Sequence, residues 1–325
     1  MSEYIAKDAT NDGIDRRGFL KCMAWAGTGL VWAMKGGVLS AKAFGADLPA
    51  GEADFTFVQV SDSHVGFNKG IYTDVLGTFQ TAVARINALP KPPSLVLHTG
   101  DLTHLSKPQE FDTVAEVMKS IKTEQSFYVP GEHDFFIDEG KRYLERFGKG
   151  TKGTGWQSFD YKGTHFVGLV NVANIANGKT ALGVLGDEQL GWLEKDVASL
   201  GTSTPIVIFA HVPLWTVYEK WGWGTQDAAQ ALGYLKRFGS VSVLNCHIHQ
   251  ILQKVEGNIT FHSARSTAFP QPEPGKAESP GPMKNVAAKK LKSYLGITRV
   301  DYVQHTGMLA TTDSTLADEP SPRKP

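Results

Sequence analysis

The chain has 325 residues, 41% of them hydrophobic and 20% charged, which supplies enough apolar material for a sizeable core and excludes disorder throughout. Lys plus Arg and Asp plus Glu number 33 each, so no positive excess exists to neutralise a nucleic-acid backbone, and generic nucleic-acid binding is not expected. Two cysteines, Cys22 and Cys246, are too few and too far apart for a disulfide framework.

The N-terminal part reads Asp15-Arg16-Arg17-Gly18-Phe19-Leu20-Lys21, then a modestly apolar stretch to Met34, then small residues including Ala41-Lys42-Ala43. A basic start, a short apolar middle and a small-residue end form the layout of an export signal. Arg16-Arg17 with Phe19, Leu20 and Lys21 resembles the twin-arginine signal, which implies the twin-arginine translocation machinery as a partner, folding before export, and a periplasmic destination. An anchor that is never cleaved is the alternative. Because the apolar run from Met23 stops at Lys35, short of the roughly 18 residues that span a bilayer, no stable membrane span is expected.

From Asp54 onward, short β-branched runs alternate with amphipathic stretches, the pattern of an α/β fold. Five runs end in polar residues: Phe55–Val60 at Ser61-Asp62-Ser63-His64, Ser94–Leu97 at His98-Thr99-Gly100-Asp101, Ser126–Val129 at Pro130-Gly131-Glu132-His133-Asp134, Ile206–Phe209 at Ala210-His211, and Val241–Leu244 at Asn245-Cys246-His247-Ile248-His249. Helices are predicted over Thr73–Leu89, Lys107–Lys122, Gly140–Phe147, Asp187–Leu200 and Gln226–Phe238. Beyond Phe269, the prolines at 270, 272, 274, 280 and 282 predict a structureless excursion, after which a helix around Val286–Leu295 and a strand around Thr298–His305 return to the core. Residues 312–325 read as a frayed end.

Ligands in such sheets sit at the carboxyl ends of strands. These ends carry the carboxylates Asp62, Asp101 and Glu132 and the imidazoles of His64, His133, His211, His247 and His249, the donor set of a borderline divalent cation. The x-spaced pairs Asp62/His64 and His247/His249 place both side chains on one side of an extended segment.

Asp-x-His, Gly-Asp, Gly-Glu-His-Asp, Ala-His-x-Pro and Cys-His-x-His, in this order over about Asp54–Phe269, resemble the calcineurin-like metallophosphoesterases. The resemblance implies a four-layer αββα sandwich and two metal ions per chain (Fe, Mn or Zn). It further implies hydrolysis of a phosphodiester or phosphomonoester, a small phosphoester substrate, by attack of metal-bound hydroxide. By position, Asp62, His64 and His249 would hold the first metal, Asp101 would bridge, and Glu132, His211 and His247 would complete the second. His133 would be the acid near the site, with Asp134 holding its ring. The organisation expected is a signal peptide over 1–46, a metallophosphoesterase domain over 47–270, and a Pro-rich extension over 271–325 packed in part on the core. A non-hydrolytic metalloprotein on the same scaffold, redox or metal-handling, is the competing class.

Two positions depart from the family pattern. Glu132 stands where the family usually has Asn, so a neutral ligand becomes an anion, which lowers the charge of the centre and favours a diester monoanion over a monoester dianion, or a trivalent ion in one position. Alternatively, Glu132 points away. Cys246 stands where glycine is usual, as a small packing residue or a soft ligand. Of the remaining candidates, His104 would reach substrate or stand just behind the metals, and His262 and Arg265 have both structural and site readings, while His98 only flanks Asp101 and His165 is a strand residue without a site role. Trp215, Tyr218, Trp221 and Trp223 would either wall the second metal for an apolar leaving group or pack their own loop.

Overall fold

The structure is a computed structural model that describes residues 30–35, 38–43, 53–176, 179–303 and 308–318. The twin-arginine motif at Arg16-Arg17 and Cys22 lie outside the described residues. The first elements are an antiparallel pair, β1 (Leu30–Lys35) and β2 (Val38–Ala43).

The expected alternation follows in order. β3 (Phe55–Val60), α1 (Val75–Asn87), β4 (Leu95–His98), α2 (Pro108–Lys119), β5 (Gln125–Tyr128) and α3 (Lys141–Phe147) make the first half. β6 (Gln157–Tyr161), β7 (Thr164–Leu169), the short pair β8 (Asn174–Ala176) and β9 (Lys179–Ala181), α4 (Asp187–Ala198), β10 (Ile206–Ala210), α5 (Ala228–Leu235) and β11 (Val241–Asn245) make the second. The hairpin β12 (Leu252–Glu256) and β13 (Ile259–Ser263), the single turn α6 (Leu291–Tyr294), β14 (Gly296–Val303) and β15 (Met308–Thr315) complete the fold. Among the described residues no helix is long and apolar enough to cross a membrane.

Helix starts follow local chemistry. Asp74 accepts from the Gly77 amide at 2.9 Å to cap α1. Pro108 opens α2 where no amide donor is needed, and Glu110 reaches back to the Leu105 amide at 2.8 Å.

Two mixed sheets form, in the orders β15-β14-β3-β4-β5 and β12-β13-β11-β10-β7-β6. The period-2 alternation of each strand explains why they stack. Phe55, Phe57, Leu95 and Leu97 of the first sheet meet Phe166, Val207, Phe209 and Leu244 of the second in one buried layer, with Phe57 edge-on to Phe166 at 5.4 Å. Val58, Val60 and Val96 face outward onto Phe79 and Ile86 of α1 and Phe111 and Val114 of α2. On the other side, Val167, Ile206, Ile208 and Val243 face Leu190 and Leu193 of α4 and Leu235 of α5. Helix, sheet, sheet, helix is the αββα sandwich, with each fully buried large apolar side chain contributing about 1.5–3 kcal/mol. The five polar strand ends therefore come from two sheets, three from one and two from the other.

Polar residues tie the sheets together at that end. Gln59 donates to Thr99 Oγ1 at 2.9 Å and to the Asn245 carbonyl at 3.0 Å, crossing from β3 to β11. At an edge, His262 of β13 contacts Asp313 of β15 at 3.0 Å, which gives that histidine a structural place. Arg265 is likewise engaged, donating to the Tyr294 carbonyl at 3.2 Å.

His165, at the start of β7, lies at the opposite end of the strands and sends Nδ1 to Asp160 Oδ1 at 2.8 Å and Nε2 to Asp196 Oδ2 at 2.9 Å, joining β6 and β7 to α4. Burial opposes its charge, but the Asp196 and Asp160 carboxylates outweigh it and raise its pKa above the ordinary 6.5. A raised pKa contributes stability that is complete below pH 6.5 and is lost as pH climbs through the folded value. Replacing His165 with Leu should cost about 2 kcal/mol at pH 6 and less at pH 9, read as urea midpoints. Parallel midpoint curves for the wild type and variant across that range would contradict the assignment.

Candidate metal centre

The strand ends turn sharply because their ligand-type residues adopt left-handed backbone conformations. Asp62, His64, Asp101, His247 and His249 have φ of 49, 40, 50, 61 and 54°, five of the eight non-glycine residues with positive φ among those described. Each such residue costs on the order of 1–3 kcal/mol and persists only where its surroundings fix it. Backbone bonds do so here: the Asp62 amide donates to the Gly100 carbonyl at 3.0 Å, and the His64 amide to the Asp101 carbonyl at 2.9 Å. Asp62 and His64 do share a side, but through these left-handed turns rather than an extended segment. Between them, Ser63 turns away to the Leu102 carbonyl and to His98 Nε2. Two glycines make the approach possible. A Cβ on Gly100, whose φ is +103°, would collide with the His211 ring, and one on Gly131 would collide with the Asp101 carboxylate.

Two groups of donors result. In the first, His249 Nε2 lies 2.9 Å from Asp62 Oδ1 and 3.4 Å from His64 Nε2. In the second, Glu132 Oε2 lies 3.0 Å from His211 Nε2 and Glu132 Oε1 lies 3.1 Å from His247 Nδ1, so Glu132 points inward. Asp101 stands between the groups, its Oδ2 3.5 Å from both His64 Nε2 and His211 Nε2. Each of the triplets Asp62/His64/His249 and Glu132/His211/His247 could hold a metal ion, with all donor atoms within 4.8 Å of one another.

The surroundings orient these donors as metal ligands are oriented. His211 Nδ1 donates to the Thr99 carbonyl at 2.8 Å and His249 Nδ1 to the Phe269 carbonyl at 2.6 Å, which leaves both Nε2 atoms aimed inward. Asp62 Oδ2 is buried without a hydrogen-bond partner, while Asp62 Oδ1 and Glu132 Oε2 face only the ring nitrogens of His249 and His211. Burial disfavours the Asp62 charge, yet the His249 and His211 rings hold its carboxyl well below the usual range. Burial likewise opposes a proton on His211, but Asp101 and Glu132 raise its pKa well above 6.5. The cluster thus demands positive charge at the point where these atoms face one another, and the residues fit a metal.

His133 borders this point. Its amide donates to Asp101 Oδ1 at 2.9 Å and its Nδ1 to the His104 carbonyl at 2.7 Å. Its ring stands 4.7 Å from His64, 4.8 Å from His104 and 4.6 Å from Phe136. Burial works against the charged ring, and the carboxylates of Asp101 and Glu132 overcome it and raise the pKa. Asp134, expected to hold that ring, does something else. Its Oδ2 accepts from the Leu102 and Gly131 amides at 3.1 and 3.0 Å, and its Oδ1 from the amide and hydroxyl of Thr103, both at 2.9 Å. The carboxylate braces the two loops, and a backbone carbonyl orients the histidine.

His104 is adjacent, stacked on His133, and burial and the His133 ring lower its pKa to about 4. His98 sits beneath the site against Ser63 and Phe79, where burial lowers its pKa to about 3. Cys246 is buried, its thiol donating to the Ala264 carbonyl at 3.2 Å, and burial raises its pKa well above 9, so it packs as a neutral side chain. The aromatic loop largely packs: Trp215 lies 5.0 Å from Phe261, and Trp221 bridges Tyr218 and the buried Trp223. Two contributors escaped the sequence reading. Phe269 stacks on His64 at 4.7 Å, and Gln271 donates to the His247 carbonyl at 2.8 Å. Both lie at the start of a Pro-rich stretch whose composition signals only a loop.

Residues 55–250 match the calcineurin-like phosphoesterase family. A 3',5'-cyclic-nucleotide phosphodiesterase of Nostoc sp. is 24% identical over 225 residues, covering 68% of this chain and 80% of that protein. A probable glycerophosphodiester phosphodiesterase of Arcobacter nitrofigilis is 26% identical over 230 residues, covering 64% and 77%. Among solved structures, a dimetal phosphatase from Danio rerio superposes with a TM-score of 0.58 at 11% identity, covering 82% of this chain and 98% of its own. A purple acid phosphatase from yellow lupin gives a TM-score of 0.59 at 13% identity, covering 84% and 53%, and both likenesses concern the fold. Motif order, strand-end donors and the match over residues 55–250 agree, and the chain belongs to the calcineurin-like phosphoesterase family, a metal-dependent hydrolase acting on phosphoesters.

Proposed function

We propose that this chain is an exported phosphodiesterase with a dinuclear metal centre. The observation that carries the dinuclear reading is the place of Asp101, whose Oδ2 is equidistant, at 3.5 Å, from one nitrogen of each donor group. Asp62, His64 and His249 would hold one ion, Glu132, His211 and His247 the other, and Asp101 would serve both. Two bound divalent cations supply Lewis acidity toward the phosphoryl oxygens and lower the pKa of water.

The chain's own residues do the rest. With Nδ1 fixed on the His104 carbonyl, Nε2 is the nitrogen that a protonated His133 ring would use to donate to the leaving oxygen. Asp134 holds the two loops that position His133 and Asp101, so its part is placement. Three carboxylates offset all but one of the four positive charges that two divalent ions bring. That residual charge suits a diester monoanion, in line with relatives named as phosphodiesterases. The sequence features at Arg16-Arg17 support export of the folded, metal-loaded protein through the twin-arginine machinery to the periplasm.

On metal-analysed protein, two ions per chain and faster turnover of bis(p-nitrophenyl) phosphate than of p-nitrophenyl phosphate are expected. His133→Ala should lower kcat by about 10²–10⁴ with metal content kept. One ion per chain, or an unaffected kcat, would refute the respective assignment. Glu132→Asn should raise the monoester-to-diester ratio of kcat/KM, and an unchanged ratio together with unchanged metal content would remove the charge argument. Replacing Arg16 and Arg17 with Lys should shift the protein from the periplasmic to the cytoplasmic fraction, whereas an unaltered periplasmic yield would rule out this route.

A further inference from the structure

Five large hydrophobic side chains are exposed among the described residues, and three of them, Leu105, Phe136 and Ile137, sit on the two loops that adjoin His133, at 39, 57 and 52% exposure. The two loops are bolted together. Ser106 Oγ donates to the His133 carbonyl at 2.6 Å and accepts from the Phe136 amide at 3.0 Å, while His133 Nδ1 holds the carbonyl of His104, the residue before Leu105. The Phe136 ring contacts the His133 ring at 4.6 Å and extends from it into solvent. Phe136 thus offers apolar surface beside the His133 ring, and Leu105 and Ile137 are exposed on the same two joined loops.

We infer that Leu105, Phe136 and Ile137 form the leaving-group subsite, and that the leaving group of the physiological diester carries an aromatic or otherwise apolar body. The inference rests on the phosphodiesterase reading and on His133 as the acid. In an in-line displacement the attacking and leaving oxygens lie on opposite sides of phosphorus. Water forms a P–O bond as the bond to the leaving group breaks; the leaving oxygen takes the proton from His133 Nε2, the proton that the water gives up passes to solvent, and the ring regains a proton from solvent between turnovers. The group attached to the leaving oxygen must therefore extend on the His133 side, where the Phe136 ring stands and Leu105 and Ile137 are exposed on the adjoining loops. Covering them removes apolar surface from water, and a hydrophobic subsite discriminates through that area.

Methyl phenyl phosphate and methyl 2-naphthyl phosphate share the half that stays on phosphorus and differ in the apolar area of the half that leaves. The metal-loaded wild type should favour the naphthyl ester about tenfold in kcat/KM. Phe136→Ser and Ile137→Ser should each bring that ratio toward one. Ile137→Ser is the cleaner of the two, because Phe136 also touches the His133 ring and its loss would lower both rates together. Val255→Ser, at the equally exposed Val255 of the edge strand β12, should keep the preference. A wild type that turns over bis(p-nitrophenyl) phosphate but shows no naphthyl preference, or a preference that survives both substitutions, overturns this inference alone. A metal-loaded wild type that hydrolyses none of the three esters overturns the phosphodiesterase reading and this inference with it.

Discussion

Three carboxylates, Asp62, Asp101 and Glu132, are drawn to one place inside the protein, the first two almost wholly buried. Ionised groups removed from water cost several kcal/mol each unless countered, and like charges at this distance add to the cost. The site is organised by that constraint. Four histidine rings face the carboxylates, two of them with their outer nitrogens pinned to backbone carbonyls, and the remaining positive charge is left for a cation. The left-handed turns at five of these positions add strain that the surrounding sandwich has to bear. It does so with a buried layer between two sheets and with Gln59 and Ser266 crossing the strand ends, the latter donating to the Asp62 carbonyl at 2.8 Å.

Much of this was legible because two kinds of information coincide in the same short stretches. A run such as Phe55–Val60 is apolar on both faces since it lies between two layers, and it stops being apolar where the chain leaves them, at Asp62. The donors could therefore be found at run ends without knowing the strand order. The allocation of strands to two sheets could not, because β4 and β10 have the same buried character whichever sheet they join. Asp134 shows a second limit. A carboxylate next to a histidine in sequence invites pairing, but successive residues of a tight turn point apart, and the nearest donors to Asp134 are backbone amides of two loops. Backbone groups have no residue identity, so the carbonyls of His104, Thr99 and Phe269, which set the ring orientations, leave no trace in composition or spacing.

The Pro-rich stretch past residue 269 carries a topological obligation that its composition conceals. β13 runs parallel to β11 and so ends at the metal end of the second sheet. β14 runs antiparallel to β3, pairing Thr298 with Gln59 and Tyr302 with Phe55, and so begins at the metal end of the first. The thirty or so residues between them have to pass from one sheet to the other across that end. Prolines suit such a crossing, since they hold an extended path without asking for a ladder of partners. The crossing accordingly meets the site on the way: Phe269 packs on His64 and Tyr72, Gln271 braces the His247 loop, and the Met283 carbonyl accepts from Tyr72 at 2.6 Å. Strand direction alone requires this Pro-rich stretch to cross at the metal end, and Phe269 and Gln271 contact the centre on the way.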